Sequence, residues 1–184
     1  MAEFSTKLEG ENIHRISANA HLQCAQAWSI LGNERKARQY LDTAEELLDG
    51  AGHLSSNPLG ISASFMRARH LQAQKGIALL RLGRFEESIN NTSAAMDGWG
   101  EDFGHEGGFH LSYLALAYAR KGECDISLQH AMSALEIANK AGAGRGIEIL
   151  EEVGSTLIGR GYSSPVMDAF TRRLKADQDA GSRS

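Results

Sequence analysis

Proline is nearly missing from this chain: the 184 residues hold two, Pro58 and Pro165. Both fall in apparent connectors, which leaves long spans where no ring removes a backbone donor or breaks a helix. Cysteine is as scarce. Cys24 and Cys124 have no Cys-x-x-Cys spacing and no paired His beside them, which excludes a disulfide framework. Both sit in helical patterns and are expected to be buried free thiols. No run of about 18 apolar residues occurs, so no membrane span is expected. The first five residues lack the basic and then apolar layout of a secretory signal, which leaves the cytoplasm as the default compartment. Neither sign of charge dominates. Nineteen Lys and Arg stand against 23 Asp and Glu, a net charge of −4, and the basic residues are scattered. Direct nucleic-acid binding needs a dense cationic stripe, so it is not expected of this chain. Period-two runs of β-branched and aromatic residues are missing too, which excludes an amphipathic sheet.

What is present reads as helix. Ala, Leu, Glu, Gln and Arg dominate, and 42% hydrophobic with 23% charged residues suits a globular domain with a real core. From residue 13 to 31 the apolar positions Ile13, Ile16, Ala20, Cys24, Ala27, Trp28 and Leu31 recur at helical spacing and predict one buried face. The chain breaks at Leu31-Gly32-Asn33. A second amphipathic run follows through Ala37, Tyr40, Leu41, Ala44, Leu47 and Leu48 and ends at Gly50-Ala51-Gly52. The same unit returns twice. Residues 65–82 end in Arg81-Leu82-Gly83 and restart at Arg84; residues 109–121 end in Arg120-Lys121-Gly122 and restart at Glu123. Connections this short force neighbouring antiparallel helices, so each unit is expected to be a helical hairpin.

The three units resemble tetratricopeptide repeats, whose period is about 34 residues. That pattern has a small and then a large residue in the first helix, Gly at the turn, and two small residues in the second. Here the series are Ala25, Trp28, Gly32, Ala37 and Ala44; Gly76, Leu79, Gly83, Ser88 and Ala95; and Ala115, Tyr118, Gly122, Ser127 and Ala134. The turn glycines lie 51 residues apart (Gly32 to Gly83) and then 39 (Gly83 to Gly122), so the linkers exceed the ideal, and the family's closing proline is missing. After residue 142 the match decays. Ile147, Ile149, Leu150, Val153, Leu157 and Ile158 predict a helix broken at Gly159-Arg160-Gly161, and Pro165 opens another with Val166, Phe170 and Leu174 on its apolar face. The resemblance implies an all-α fold: antiparallel hairpins stacked as a short right-handed superhelix, about three repeats with a C-terminal capping pair. Residues 12–176 are expected to form it. Residues 1–11 are expected to be a flexible leader, with Glu3-Phe4 open to reading as a cloning scar, and residues 177–184 a frayed polar tail.

More loosely, the run resembles the C-terminal half of actinobacterial regulators in which a helix-turn-helix head precedes tetratricopeptide-like repeats. The phrase Tyr113-Leu114-Ala115-Leu116-Ala117-Tyr118-Ala119 and the closing pair around Pro165 carry that similarity. It implies a protein- or peptide-binding module serving regulation, with no catalysis and no cofactor; the alternative is a sensor gated by a small molecule or short signalling peptide. Self-association into a homodimer is the further expectation.

By repeat register, a concave groove would carry Asn19, Leu22, Gln26 and Ser29, then His70, Ala73, Ile77, Leu80 and Arg81, then Phe109, Ser112, Leu116 and Arg120. Arg81 and Arg120 hold equivalent places before their turns. They are expected either to face an anion together or to bond the last carbonyls of their own helices. The family's carboxylate clamp needs Lys and Asn where this chain has Leu22, Gln26 and Ala73, so that clamp is not expected. The acidic, Gly-rich loop from Asp97 to Gly108 bears Trp99 and Phe103, a candidate lid or partner contact set against aromatics that fold back onto the hairpin. His105, Glu106 and His110 are close in sequence, but a zinc site needs three or four convergent ligands and neither Cys is nearby, and His14 and His21 lie two turns apart; no metal is expected. Gly142-Ala143-Gly144-Arg145-Gly146 follows no strand and reads as a turn, not a dinucleotide motif. No nucleophile elbow, His-Glu-x-x-His or phosphate-cradling motif is present.

Overall fold

The computed structural model describes residues 2–50, 68–97, 105–141 and 146–181. Among them are eight helices and no strand: α1 (Ala2–Ile30), α2 (Glu34–Gly50), α3 (Ala68–Arg81), α4 (Phe85–Asp97), α5 (His105–Lys121), α6 (Cys124–Ala141), α7 (Ile147–Gly159) and α8 (Pro165–Gly181). They fall into two compact units, Met1–Arg84 and Phe85–Ser184. α1 starts at Ala2 and α8 reaches Gly181, so helix extends past both boundaries expected at 12 and 176. Neither end carries a proline, and Glu, Lys, Gln and Ala there keep the helix open to extension. The connector with Pro58, the loop bearing Trp99 and Phe103, and the turn Gly142–Arg145 lie outside the described residues.

The turns follow one design. After α1, the amide of Asn33 donates to the carbonyl of Trp28 and that of Gly32 to Ser29. The pair recurs as Arg84 to Leu79 with Gly83 to Leu80, as Glu123 to Tyr118 with Gly122 to Ala119, and as Tyr162 to Leu157 with Gly161 to Ile158. Each is a Schellman closure, and each central glycine has positive φ, between 69° and 103°, where a Cβ would be strained. The fourth turn was not expected as a copy of the others. Yet Gly154 and Leu157 precede Gly161 at the spacing that Ala25 and Trp28 hold before Gly32. The second helix of this last pair starts late because Ser164 caps it, its Oγ accepting from the Met167 amide at 3.1 Å, with Pro165 in the first turn.

Small residues set how closely the helices meet. Ala25, Ala37, Ala44, Ser88, Ala95, Ala115, Ser127 and Ala134 are all buried, none more than 1% exposed. In the α5–α6 hairpin the Ser127 hydroxyl donates to the Ala115 carbonyl at 2.8 Å, joining two of these sites directly. A Cβ built on Gly108 would stand 2.9 Å from Ile137 Cγ2, so α5 lies against α6 at a distance only glycine allows.

In the first unit α1 packs on α2 and α3 through Ala18, Leu22, Ala25, Leu41, Ala44, Leu71 and Ala78. The face of α1 that is buried is therefore Ala18–Leu22–Ala25 and not the stripe from Ile13 to Leu31. Ile13, Ile16 and Leu31 are 59–70% exposed. Cys24 on that stripe is exposed and Cys124 is half-buried, which corrects the expectation of two buried thiols. Both sides of α1 are apolar, and α2 and α3 take the side whose alanines allow the closer fit. Glu34 pins the start of α2: Arg84 and Arg38 both donate to its carboxylate, at 2.6 and 2.9 Å, and hold its pKa down at about 2.

In the second unit α5 is the central helix, with α4, α6 and α7 packed on it and α8 on α6 and α7. Gly146, at φ 101°, opens α7 on the surface of α5; a Cβ there would meet Ser112 Oγ at 3.1 Å. Gly159 meets nothing within 4 Å and has no positive φ. Gly146→Ala is expected to cost about 1–2 kcal/mol, the penalty of left-handed backbone for an L side chain. Gly159→Ala is expected to leave stability unchanged or raise it by about 0.5 kcal/mol. Urea unfolding of the two variants beside the parent checks the ordering.

Candidate functional site

A groove of about 560 Å³ opens in the second unit, with α4 and α6 as walls and α5 as floor. Leu111 and Leu114 come up from α5, where each is 9% exposed or less, and make the base aliphatic. Met96 from α4 and Ile137 from α6 extend that surface up the sides. The rim is polar: Ser93 and Asp97 on α4, and Ser133, Glu136 and Lys140 on α6. These residues come together because α4 and α6 pack on α5 through Thr92, Ala95, Ala131 and Ala134, which leaves the adjoining helical positions to face the gap.

His130 lines the α6 wall and stacks on Tyr118 of α5, with ring centroids 5.4 Å apart and planes inclined by 16°. Burial holds its imidazole below the usual pKa, since no acidic partner offsets the loss of solvent. At neutral pH the ring is uncharged and offers one donor and one acceptor. At the outer end Lys140 Nζ lies 2.8 Å from Glu136 Oε1 and lowers that carboxyl's pKa. The groove therefore has a dry aliphatic floor, a neutral ring that can hydrogen-bond, and a rim of paired and single charges.

The residues expected from repeat register go elsewhere. Ile77 (3% exposed), Leu116 (2%) and Ser112 (0%) are interior, and Leu22, Ala73 and Leu80 with them. Gln26 is 9% exposed: its Nε2 donates to the Gln74 carbonyl at 2.7 Å, and Arg81 donates to its Oε1. Ser29 is buried and bonds its own helix at Gln26. Arg120 is paired with Glu152 of α7. Asn19, His70 and Phe109 are half-buried, and Phe109 stands edge-on to Tyr113 at 5.1 Å. The physical reason is common to both units. The face read as an open groove is where α1 meets α3 and where α5 meets α7. Arg81 and Arg120 are thus drawn to neighbouring first helices, Arg81 to the Gln26 amide of α1 and Arg120 to the Glu152 carboxylate of α7, and do not face one anion together. Among the described residues no group of three His, Cys, Asp or Glu could hold a metal ion. Nor is any described helix long and apolar enough to cross a membrane.

Sequence reasoning missed Ser93, Met96, His130, Ser133 and Ile137. The available signal was Ile137 and Met96, apolar residues that follow the small repeat positions Ala134 and Ala95 and are not needed for hairpin packing. No family model matches the chain, and no curated protein or solved structure does so either.

The His130 environment fixes a pH response. Its folded-state pKa lies below the unfolded value of about 6.5, so between the two the unfolded chain binds the extra proton. The contribution is full above the unfolded pKa and is lost as pH falls below it. Wild type is expected to lose stability between pH 7.5 and 5 more steeply than His130→Gln in paired thermal melts. Parallel slopes for the two proteins would show that the imidazole stays as easy to protonate as in the open chain.

Proposed function

We propose that this chain is a tetratricopeptide-like, protein- or peptide-binding module, the regulatory or interaction part of a bacterial regulator, and that it holds its partner in the α4–α5–α6 groove. The observation that carries this reading is the groove's make-up: an aliphatic floor from Leu111 and Leu114 under a rim of Ser93, Asp97, Ser133 and Glu136. An amphipathic peptide matches it. One or two bulky aliphatic or aromatic side chains would be desolvated on the floor, while the flanking backbone and polar side chains meet the rim. His130 is suited to a backbone carbonyl or amide, being neutral and fixed in place by Tyr118. The repeated Gly-turn units support the kinship with tetratricopeptide modules, and through it the regulatory context.

A sensor for a small molecule is the second reading, favoured by the volume, which lies within the range of small-molecule sites. The two readings part in one experiment. Peptides selected from a random display library against the full chain are expected to share an apolar anchor. They should bind Ser133→Trp at least about tenfold more weakly, a loss of about 1.4 kcal/mol. Ser133 is exposed at the groove's edge, so the variant fills the groove without touching the core, and circular dichroism checks the fold. Equal affinity for the variant sinks the peptide reading. Recovery of a co-purified small molecule by native mass spectrometry, lost in the same variant, favours the sensor.

A further inference from the structure

The outer side of α1 has the chemistry of a core and stands exposed among the described residues. Ile13, Ile16, Ala20, Cys24, Ala27 and Leu31 recur at three and four residues, one helix face roughly 27 Å long, with Ile30 at its edge. All are exposed, and the three isoleucines and the leucine stand 59–70% open. The same stretch is also stripped of charge. Between Ile13 and Leu31 the sole Asp, Glu, Lys or Arg is Arg15, enclosed on the inner side at 4% exposure. The adjacent α2 carries eight such residues in seventeen, so an uncharged outer helix is not the habit of this chain. At the other end of the chain α8 turns Asp168, Arg172, Arg173 and Lys175 outward, the polar finish a terminal helix needs.

We propose that this stripe is where two copies of the chain pair, α1 against α1 in antiparallel sense about a twofold axis between Gln23 and Cys24. Two features select a second copy over other occupants. First, from Ile16 to Leu31 the stripe reads alike from both ends, large at Ile16, small at Ala20, Cys24 and Ala27, and large again at Leu31. A twofold interface must be complementary to itself, and this one is. The antiparallel register sets Ile16 against Leu31 of the second copy and Ala20 against its Ala27. Small residues at the centre let the backbones come close. Second, each copy carries a net charge of −4, so like chains repel except through a neutral face. A lipid surface fits poorly, because an interfacial helix flanks its apolar side with Lys and Arg, and none is exposed here.

Sedimentation of the full chain from roughly 1 to 100 μM is expected to move from 19.9 kDa toward twice that mass. In a Cys124→Ser background, mild oxidation is expected to trap a Cys24–Cys24 dimer, since the axis brings those thiols together. Ala20→Glu and Ala27→Lys are each expected to be monomeric with unchanged helical content. Mixed in equal amounts they are expected to dimerise again, because the register opposes residue 20 to residue 27. A wild-type chain that stays monomeric throughout, a dimer that survives Ala20→Glu, or failure to trap Cys24 each overturns the proposal. So does a mixture of the two charged variants that stays monomeric, which would place the contact in another register.

Discussion

Helices can approach only as closely as the residues at their crossing allow, and the packing within each unit follows from where those residues stand. Ala, Ser or Gly occupies a fixed distance before and after the turn glycines Gly32, Gly83 and Gly122, and those sites are buried. With Ser127 bonded to the Ala115 carbonyl and Gly108 against Ile137, α5 and α6 are held almost backbone to backbone. Bulky residues then have no room in that seam. They are displaced to its margins, where Leu111, Leu114 and Ile137 become the surface of the groove. The candidate site is a by-product of close packing one residue away.

The polar links have a different role. Arg81 with Gln26, Arg120 with Glu152, Lys75 with Glu45 and Arg84 with Glu34 each tie one helix or turn to another within a unit. Most are solvent-accessible, and pairs of that kind contribute between nothing and about 1 kcal/mol. They are not what holds each unit's helices together; the apolar seam within it is. What they fix is rotation about the helix axis, since an arginine that must reach a named acceptor cannot sit a third of a turn away. That two equivalent arginines both reach into a neighbouring first helix shows one solution used twice, by an amide acceptor in one case and a carboxylate in the other.

Helix content and the turns were legible in the sequence because their causes are local. A glycine three residues beyond an apolar run, followed by a fresh amphipathic run, has few other meanings, and Gly32, Gly83 and Gly122 all close as expected. Gly161 does the same but was hidden by the two extra residues before Pro165, which move every second-helix position out of register. The groove was not legible for a related reason. Periodicity locates a face to within a third of a turn, and the distance between a face packed on the next helix and one open to solvent is no larger. Ile77, Ser112 and Leu116 fell on the wrong side of that margin, while Met96, His130 and Ile137 fell just outside the small-residue seam on the other helices.

α1 fails the same test for a deeper reason. A period of 3.6 identifies a buried face only when the opposite face is polar, and here both are apolar. Ile13, Ile16 and Leu31 are the larger residues, so hydrophobicity alone assigns them inward. Packing chooses Ala18, Leu22 and Ala25 instead, because α2 and α3 present Ala44 and Ala78 and gain more from proximity than from bulk. Area and closeness thus compete for the same helix, and closeness wins inside the unit. The bulk left over on the outer side, uncharged between Ile13 and Leu31 apart from the enclosed Arg15, is what the proposed pairing of two copies would use. Periodicity alone does not separate two such faces on one helix.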